Sequence, residues 1–368
     1  MTSLTKKLLI AVFYGLALSA IAACNGKNEV SLESFVRAEM NVFLRQEKAQ
    51  VASIVVVSDG RIYQSHFGKL NNGASPNNQT IYELASITKT YTGLVLAKAV
   101  HDGKVALDAD IRTYLKNQEY DNLERSDTPM TLRHLATHTS GLPKDFAYTK
   151  EDAQHGLIIE RLSAYTKEDF FNDLSQFNLR SVPGERYQYS NAGAKLTAYI
   201  LESVYNKPFD SLVYEFITAK SGESNTKFRG APKGVNDVIS GKDQRGEVMP
   251  LLSLYSWAEG GLSSTAESMT NYLLYQLTSI NPEVTLSHEL LSGNSSNHGK
   301  AFFWNTYEYN STAQMLYHSG GSLGTSSWLA IYPKKHIGVF IVANVSTETS
   351  QSRLNEVSNN IVDHLVDL

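Results

Sequence analysis

Two apolar runs near the start of the chain, Ala52-Ser53-Ile54-Val55-Val56-Val57 and Arg61-Ile62-Tyr63-Gln64-Ser65-His66-Phe67, are rich in β-branched and aromatic residues and are separated only by Ser58-Asp59-Gly60. Asp-Gly between such runs predicts a β-hairpin. Ahead of them, Ser31 is a candidate cap for a segment carrying Phe35, Val36, Met40, Val42, Phe43 and Leu44, a spacing that predicts an amphipathic helix. Tyr91, Leu94, Val95, Leu96, Ala97, Ala99 and Val100 predict a strongly apolar helix that stops at His101-Asp102-Gly103, where glycine suits a left-handed cap. From there to about Leu291 the pattern is mostly helical, over 131–137, 168–176, 192–205, 209–219 and 266–277. Breaks fall at Gly141, Pro143, Pro183-Gly184, Pro208 and a polar stretch from Ser221 to Gly246. The C-terminal part reads as successive strands over 301–304, 315–317, 328–332 and 337–342, with turns at Gly320-Gly321 and Pro333-Lys334-Lys335. Leu354, Val357, Ile361, Val362 and Leu365 then predict a closing helix.

Strands at both ends with helices between them imply an α+β fold: an antiparallel sheet built from N- and C-terminal segments (about 30–80 and 295–368), flanking helices, and an inserted, mostly helical lobe (about 81–294). Such a seam is where a site is expected. The 368 residues, 42% hydrophobic and 19% charged, suit an ordinary globular body. A net charge of −4 argues against nucleic acid as a partner. Residues 1–23 read as a signal peptide, with Lys6-Lys7 followed by an apolar segment from Leu8 to Ala20. This leader ends in Ile21-Ala22-Ala23-Cys24, which resembles a bacterial lipobox, and Cys24 is the single cysteine. Export and lipidation at Cys24 are therefore expected, with 24–368 as one mature domain tethered to the bacterial cell envelope, facing the periplasm and touching the membrane through that lipid alone.

The candidate chemistry begins at Ser86-Ile87-Thr88-Lys89, where a hydroxyl and an amine one helical turn apart share a face. A neutral Lys89 would accept the Ser86 proton. Ser3-Leu4-Thr5-Lys6 and Ser224-Asn225-Thr226-Lys227 match the same pattern, but only Ser86 opens an apolar helix. Tyr189-Ser190-Asn191 follows the exposed turn Pro183-Gly184-Glu185, and His318-Ser319-Gly320-Gly321 lies late in the chain, where glycines let a substrate approach the backbone. Each has a decoy, Tyr120-Asp121-Asn122 and His101-Asp102-Gly103, so neither is specific alone. His134-Leu135-Ala136-Thr137-His138 has the spacing of a zinc pair but lacks the glutamate after its first histidine. Gly320-Gly321-Ser322-Leu323-Gly324 matches a nucleophile elbow, yet strand-like residues follow where that elbow requires a helix.

In order, Ser-x-x-Lys, Tyr-Ser-Asn and His-Ser-Gly resemble the serine β-lactamase and penicillin-binding superfamily, in the branch holding class C β-lactamases, D-alanyl-D-alanine carboxypeptidases and related esterases. Leu107-Asp108-Ala109-Asp110-Ile111, Thr131 to Pro143 and Gly260 to Ala266 are similar again, so the resemblance covers essentially the whole mature chain. It implies a β-lactamase/transpeptidase-like fold and an acyl-enzyme on Ser86, with Lys89 and Tyr189 handling protons and the division between them open. It also implies an oxyanion site at the N–H groups of Ser86 and Gly321, with Asn191, His318 and Gly320 at the substrate and no metal or cofactor. The substrate is then a small molecule, peptide or ester. Class C β-lactamases carry lysine where His318 stands, whereas carboxypeptidase-like and esterase-like members carry histidine. The implied activity is thus carboxypeptidase-like or esterase-like, the alternatives being a class C-like β-lactamase and a penicillin-binding sensor or scaffold that does not turn over. Arg229, Lys242 and Arg245 are candidate anchors for a substrate carboxylate, each also readable as a solvated surface charge.

Overall fold

The computed structural model describes residues 30–115, 119–230, 237–293, 297–310 and 313–367. Cys24 and the leader lie outside the described residues. Among the described residues no helix is long and apolar enough to cross a membrane.

Helix α1 (Leu32–Glu47) is capped by Ser31, as its sequence predicts, and leads into the hairpin of β1 (Val51–Ser58) and β2 (Arg61–Gly68). Asp59 and Gly60 both take positive φ, 47° and 76°, which is the turn that Asp-Gly favours. Strand β3 (Ile81–Glu83) precedes α2 (Thr88–His101), and α3 (Leu132–Ala136) and α4 (Asn191–Tyr205) follow in the inserted lobe. Two short strands there, β4 (Lys227–Phe228) and β5 (Leu262–Thr265), complete a three-stranded sheet in which β5 lies between β3 and β4, and α5 (Ala266–Thr278) runs on from β5. The chain then adds β6 (Ser292–Gly293), β7 (His298–Lys300), β8 (Asn305–Asn310), β9 (Ala313–Gly321), β10 (Ser326–Tyr332) and β11 (Ile337–Ala343), and closes with α6 (Ser350–Asp367). The main sheet has eight strands in the order β2-β1-β11-β10-β9-β8-β7-β6, every neighbour antiparallel.

The central strands are apolar at nearly every position because both faces are covered. Ile54, Val56, Val339 and Ile341 pack with Val36 and Met40 of α1 and Leu354 and Ile361 of α6. The alternate residues Val55, Val57, Phe340 and Val342 join Tyr91 and Leu94 of α2 and Met269 and Leu273 of α5. Helix α2 is therefore the centre of the larger core, which explains why it is apolar around most of its circumference.

Three expectations from sequence require correction. The 301–304 run is not a strand: Ala301 N–H reaches Trp304 O across a tight turn, Phe303 sits at φ 60°, and all four residues are buried beneath α2. Apolar content alone could not separate a buried turn from a buried strand. Gly320 and Gly321 do not turn but pair with Ser327 and Ser326 within the sheet, and the reversal lies after them, where Ser322 N–H bonds Thr325 O at 2.9 Å. These glycines supply space, since a Cβ on Gly320 would stand 2.4 Å from Leu84 O. The inserted lobe is also less helical than its pattern predicts, because β3, β4 and β5 form a sheet of their own.

Candidate active site

The Ser86 turn is held from two sides. Leu84 N–H bonds Leu262 O at 2.9 Å and its carbonyl accepts the Ser327 hydroxyl at 3.0 Å, tying the turn to β5 and to β10. Ala85 then adopts φ 48°, a left-handed conformation that a non-glycine residue keeps only where its surroundings impose it. A short 3₁₀ turn over Ala85–Ile87 feeds into α2, so Ser86 is displayed at the helix mouth while Lys89 lies one turn inside.

Lys89 is fully buried, and its ammonium touches three oxygens: Glu259 O at 2.5 Å, Asn191 Oδ1 at 2.9 Å and Ser86 Oγ at 3.3 Å. The Tyr189 hydroxyl donates to Ser86 Oγ at 2.7 Å, and Lys89 Nζ stands 4.8 Å from the Tyr189 ring centre. Asn191 is the first residue of α4; the Ser190 side chain caps the helix at Gly193 N–H, and Lys144 O accepts the Asn191 N–H at 2.7 Å. Desolvation pulls the Lys89 pKa down to about 7; Glu259 and Asp145 oppose that fall and Lys195 adds to it. Burial, reinforced by Glu259, pushes Tyr189 well above the usual tyrosine range despite its bond to Ser86, so at neutral pH it is a phenol that donates.

Behind Lys89 lies a buried ionic trio that the motifs did not reveal. Lys195 Nζ pairs with Asp145 at 3.1 Å and with Glu259 at 3.5 Å. Its members adjoin the groups that hold Lys89: Lys195 is one helical turn along from Asn191, Asp145 follows Lys144, whose carbonyl takes the Asn191 N–H, and Glu259 contributes its own carbonyl. The available signal was the Asn191/Lys195 spacing of four, which places both on one face of α4. Glu83 is likewise buried; it accepts Ser253 N–H at 2.7 Å and the Ser322 hydroxyl at 2.6 Å, joining the lead-in to Ser86 with the loop after Gly321.

The opposite wall is the β9 edge. His318 is 3% exposed, and its Nδ1 is 2.7 Å from Ser319 O; a carbonyl only accepts, so Nδ1 carries the proton. Burial, with the nearby Lys89 and Lys300 charges, brings its pKa down to about 3, leaving the ring neutral. Ser86, Tyr189, Asn191, His318 and Gly321 all line one cavity of about 330 Å³, together with Lys144, Asp145, Tyr148, Glu259, Asn305 and Ser319. Gly320 stands behind this wall against Leu84 and Ala85. Arg229, Lys242 and Arg245 do not line it; Arg229 pairs with Asp237 and Arg245 with Asp243.

The decoys have structural employment. Asn122 donates to Leu174 O and Phe177 O, and Lys227 belongs to an edge strand. His134 Nδ1 accepts Thr131 N–H at its helix cap, while His138 Nδ1 accepts Ser190 N–H and its ring leans on Tyr189. After Gly324 the chain continues as β10, a strand and not a helix.

A fold of this kind, with a serine and lysine at the seam between sheet and helical lobe, defines a class, and comparison supplies its name. The family model described as Beta-lactamase matches residues 32–360, and the chain belongs to this family of serine hydrolases. Protein flp of Staphylococcus aureus (strain N315) is 24% identical over 333 residues, covering 85% of this chain; the chain spans 63% of that relative's length. The D-alanyl-D-alanine-carboxypeptidase/endopeptidase AmpH of Escherichia coli (strain K12) is 24% identical over 97% of this chain and 96% of its own. Among solved structures, a beta-lactamase/D-alanine carboxypeptidase from Yersinia pestis, complexed with citrate, superposes with a TM-score of 0.77 at 22% identity, covering 91% of this chain and 98% of its own. The octameric penicillin-binding protein homologue from Pyrococcus abyssi gives 0.71 at 24% identity, over 84% and 73%.

Proposed function

We propose that the protein cleaves an amide or ester bond through an acyl-enzyme on Ser86, acting as a D-alanyl-D-alanine carboxypeptidase-like or esterase-like hydrolase. One observation carries the reading: the arrangement of acceptors around Lys89. Asn191 Oδ1 and the Glu259 carbonyl can only accept, so they take two of its N–H bonds. When Lys89 loses a proton, the lone pair is left facing Ser86 Oγ at 3.3 Å. A pKa of about 7 makes that neutral form abundant at working pH, where a general base is most effective.

In this mechanism Ser86 Oγ attacks the carbonyl carbon and its proton passes to Lys89. The negative oxygen of the tetrahedral intermediate lies toward the N–H groups of Ser86 and Gly321. Tyr189 gives its hydroxyl proton to the departing nitrogen or oxygen, and the phenolate so formed is stabilised by the now cationic Lys89 beside its ring. Water reverses the sequence and releases the acid. The relatives named for D-alanine carboxypeptidase activity favour a peptide ending in a D-amino acid, and a neutral His318 favours that reading over a class C-like β-lactamase.

The test is one panel: a D-Ala-D-Ala peptide, a p-nitrophenyl acyl ester and nitrocefin, offered to the wild type and to Ser86→Ala. Turnover of the peptide or the ester, lost in Ser86→Ala, is expected, with nitrocefin the poorest substrate. Activity that survives Ser86→Ala on every substrate contradicts the proposal, and a single burst without turnover identifies a penicillin-binding sensor instead.

A further inference from the structure

With His318 neutral, a carboxylate-bearing substrate needs its positive charge from elsewhere; Lys144 lines the cavity, and Lys300 stands against two of its other lining residues. Lys300, at the end of β7, donates through Nζ to Asn305 Oδ1 and stands 4.3 Å over the Tyr187 ring. Asn305 and Tyr187 both line the cavity that contains Ser86. Lys300, Asn305 and Tyr317 are aligned across three neighbouring strands, which sets Lys300 two strand spacings, about 10 Å, from the residue preceding His318.

Both contacts hold the ammonium without neutralising it. An amide oxygen and an aromatic face attract a cation but carry no net charge. Among the described residues no carboxylate forms an ion pair with Lys300, whereas Lys195 has two and Lys220 has one. Burial brings the Lys300 pKa down only to about 8, so it stays mostly protonated at pH 7. Its charge is felt at both His318 and His138, which places the field inside the cleft. Tyr187 is exposed and Lys300 itself is only half-buried, so this corner of the cleft remains open to solvent.

We propose that Lys300, held by Asn305 and Tyr187, is the anchor for a carboxylate on the leaving-group side of the substrate, and that it makes the cleft prefer peptides with a free C-terminus. This rests on the acyl-transfer reading for the location of the scissile bond, but the preference itself is a property of binding. A carboxylate meeting a half-buried ammonium forms a charge-assisted hydrogen bond that the C-terminal amide of the same peptide cannot match. Lys300 thereby acts in recognition and takes no part in moving protons.

The experiment uses full-length Ser86→Ala, so that binding is measured without turnover. Calorimetry compares an N-acyl D-Ala-D-Ala peptide with its C-terminal amide, in that background and with Lys300→Met or Lys300→Arg added. The free acid is expected to bind at least tenfold more tightly than the amide, the ratio falling to within twofold in Lys300→Met and being largely restored in Lys300→Arg. Equal binding of acid and amide, binding of neither, or a preference that persists in Lys300→Met overturns the proposal. The first two outcomes need no variant at position 300 and so hold even if Lys300→Met fails to fold. Labelling of wild-type Ser86 by a neutral fluorophosphonate reports separately on the acyl-enzyme: a missing label sinks that reading, while the acid/amide ratio judges Lys300.

Discussion

On one side of Ser86, Lys89 is enclosed by Asn191, the Glu259 carbonyl and the Tyr189 ring, with a second, fully paired lysine, Lys195, behind it. On the other, His318 is a neutral ring on a strand edge and Lys300 is a cation held by neutral partners. Lys89 is fully buried and Lys300 half-buried, and these surroundings shift the two lysines by different amounts. Desolvation brings Lys89 to about 7, as the proposed proton acceptor requires, whereas Lys300 reaches only about 8 and stays the cation proposed to meet an anion. The lesson is that residue type does not fix a lysine's charge state; how completely it is removed from water and which charges stand near it do.

The comparison is broken most severely at Lys89. Lys89→Met is expected to slow acylation by on the order of 10²–10⁴-fold on every substrate. Lys89→Arg should not rescue it, because a guanidinium does not deprotonate. Stopped-flow acylation with a p-nitrophenyl ester measures both, and an active Lys89→Arg would remove lysine as the base. Tyr189→Phe is expected to cost about 10²-fold on an amide and distinctly less on an activated ester, whose leaving group needs no proton; equal losses would deny Tyr189 the acid role. Gly320→Ala brings a methyl to within 2.4 Å of Leu84 O, so a loss of about 1–3 kcal/mol in denaturant unfolding is expected, with a slower enzyme. An unchanged midpoint would show that β9 and the Ser86 turn have room to separate.

The subtlest break is Lys195→Met. The Lys195 charge depresses Lys89, while Asp145 and Glu259 raise it, so removing Lys195 lets the Lys89 pKa climb. In the proposed mechanism activity depends on neutral Lys89 and rises with pH through its pKa. The acid limb of kcat/KM should therefore move to higher pH, with a few-fold loss at pH 7 that is recovered in alkali and rescued by Lys195→Arg. Leaving two carboxylates unpaired also costs stability, about 3–5 kcal/mol, which a melting curve reads independently. A purely structural Lys195 would lower activity without moving the limb.

The parts of this design that were legible in sequence were those carried by local pattern. The Asp-Gly hairpin, the apolar α2 and each of the motifs holding Ser86 and Lys89, Tyr189 and Asn191, and His318 lie within short windows, and the fold brings Ser86, Tyr189, Asn191 and His318 to one cavity with Lys89 against Ser86. What escaped depends on distance along the chain. Asp145, Lys195 and Glu259 are 50 or more residues apart and meet only because three segments converge behind Lys89. Lys300 sits on a three-residue strand, second from the end of the sheet, whose sequence gives no periodic signal, beside a buried turn that looks like a strand by apolar content alone. Gly320 and Gly321 were read as a turn because glycine marks both turns and close approaches, and only the neighbouring Leu84 carbonyl distinguishes the two.

The most direct test of the central claim is the pH dependence of covalent labelling at Ser86. Wild type and Lys89→Met would be treated with a neutral fluorophosphonate across pH 5–9, and the adduct located by peptide mass spectrometry. The account predicts a single adduct on Ser86 whose rate of formation rises through about pH 7 and is lost in Lys89→Met. An adduct on another serine, or a rate that is flat through neutral pH and indifferent to Lys89, would contradict it.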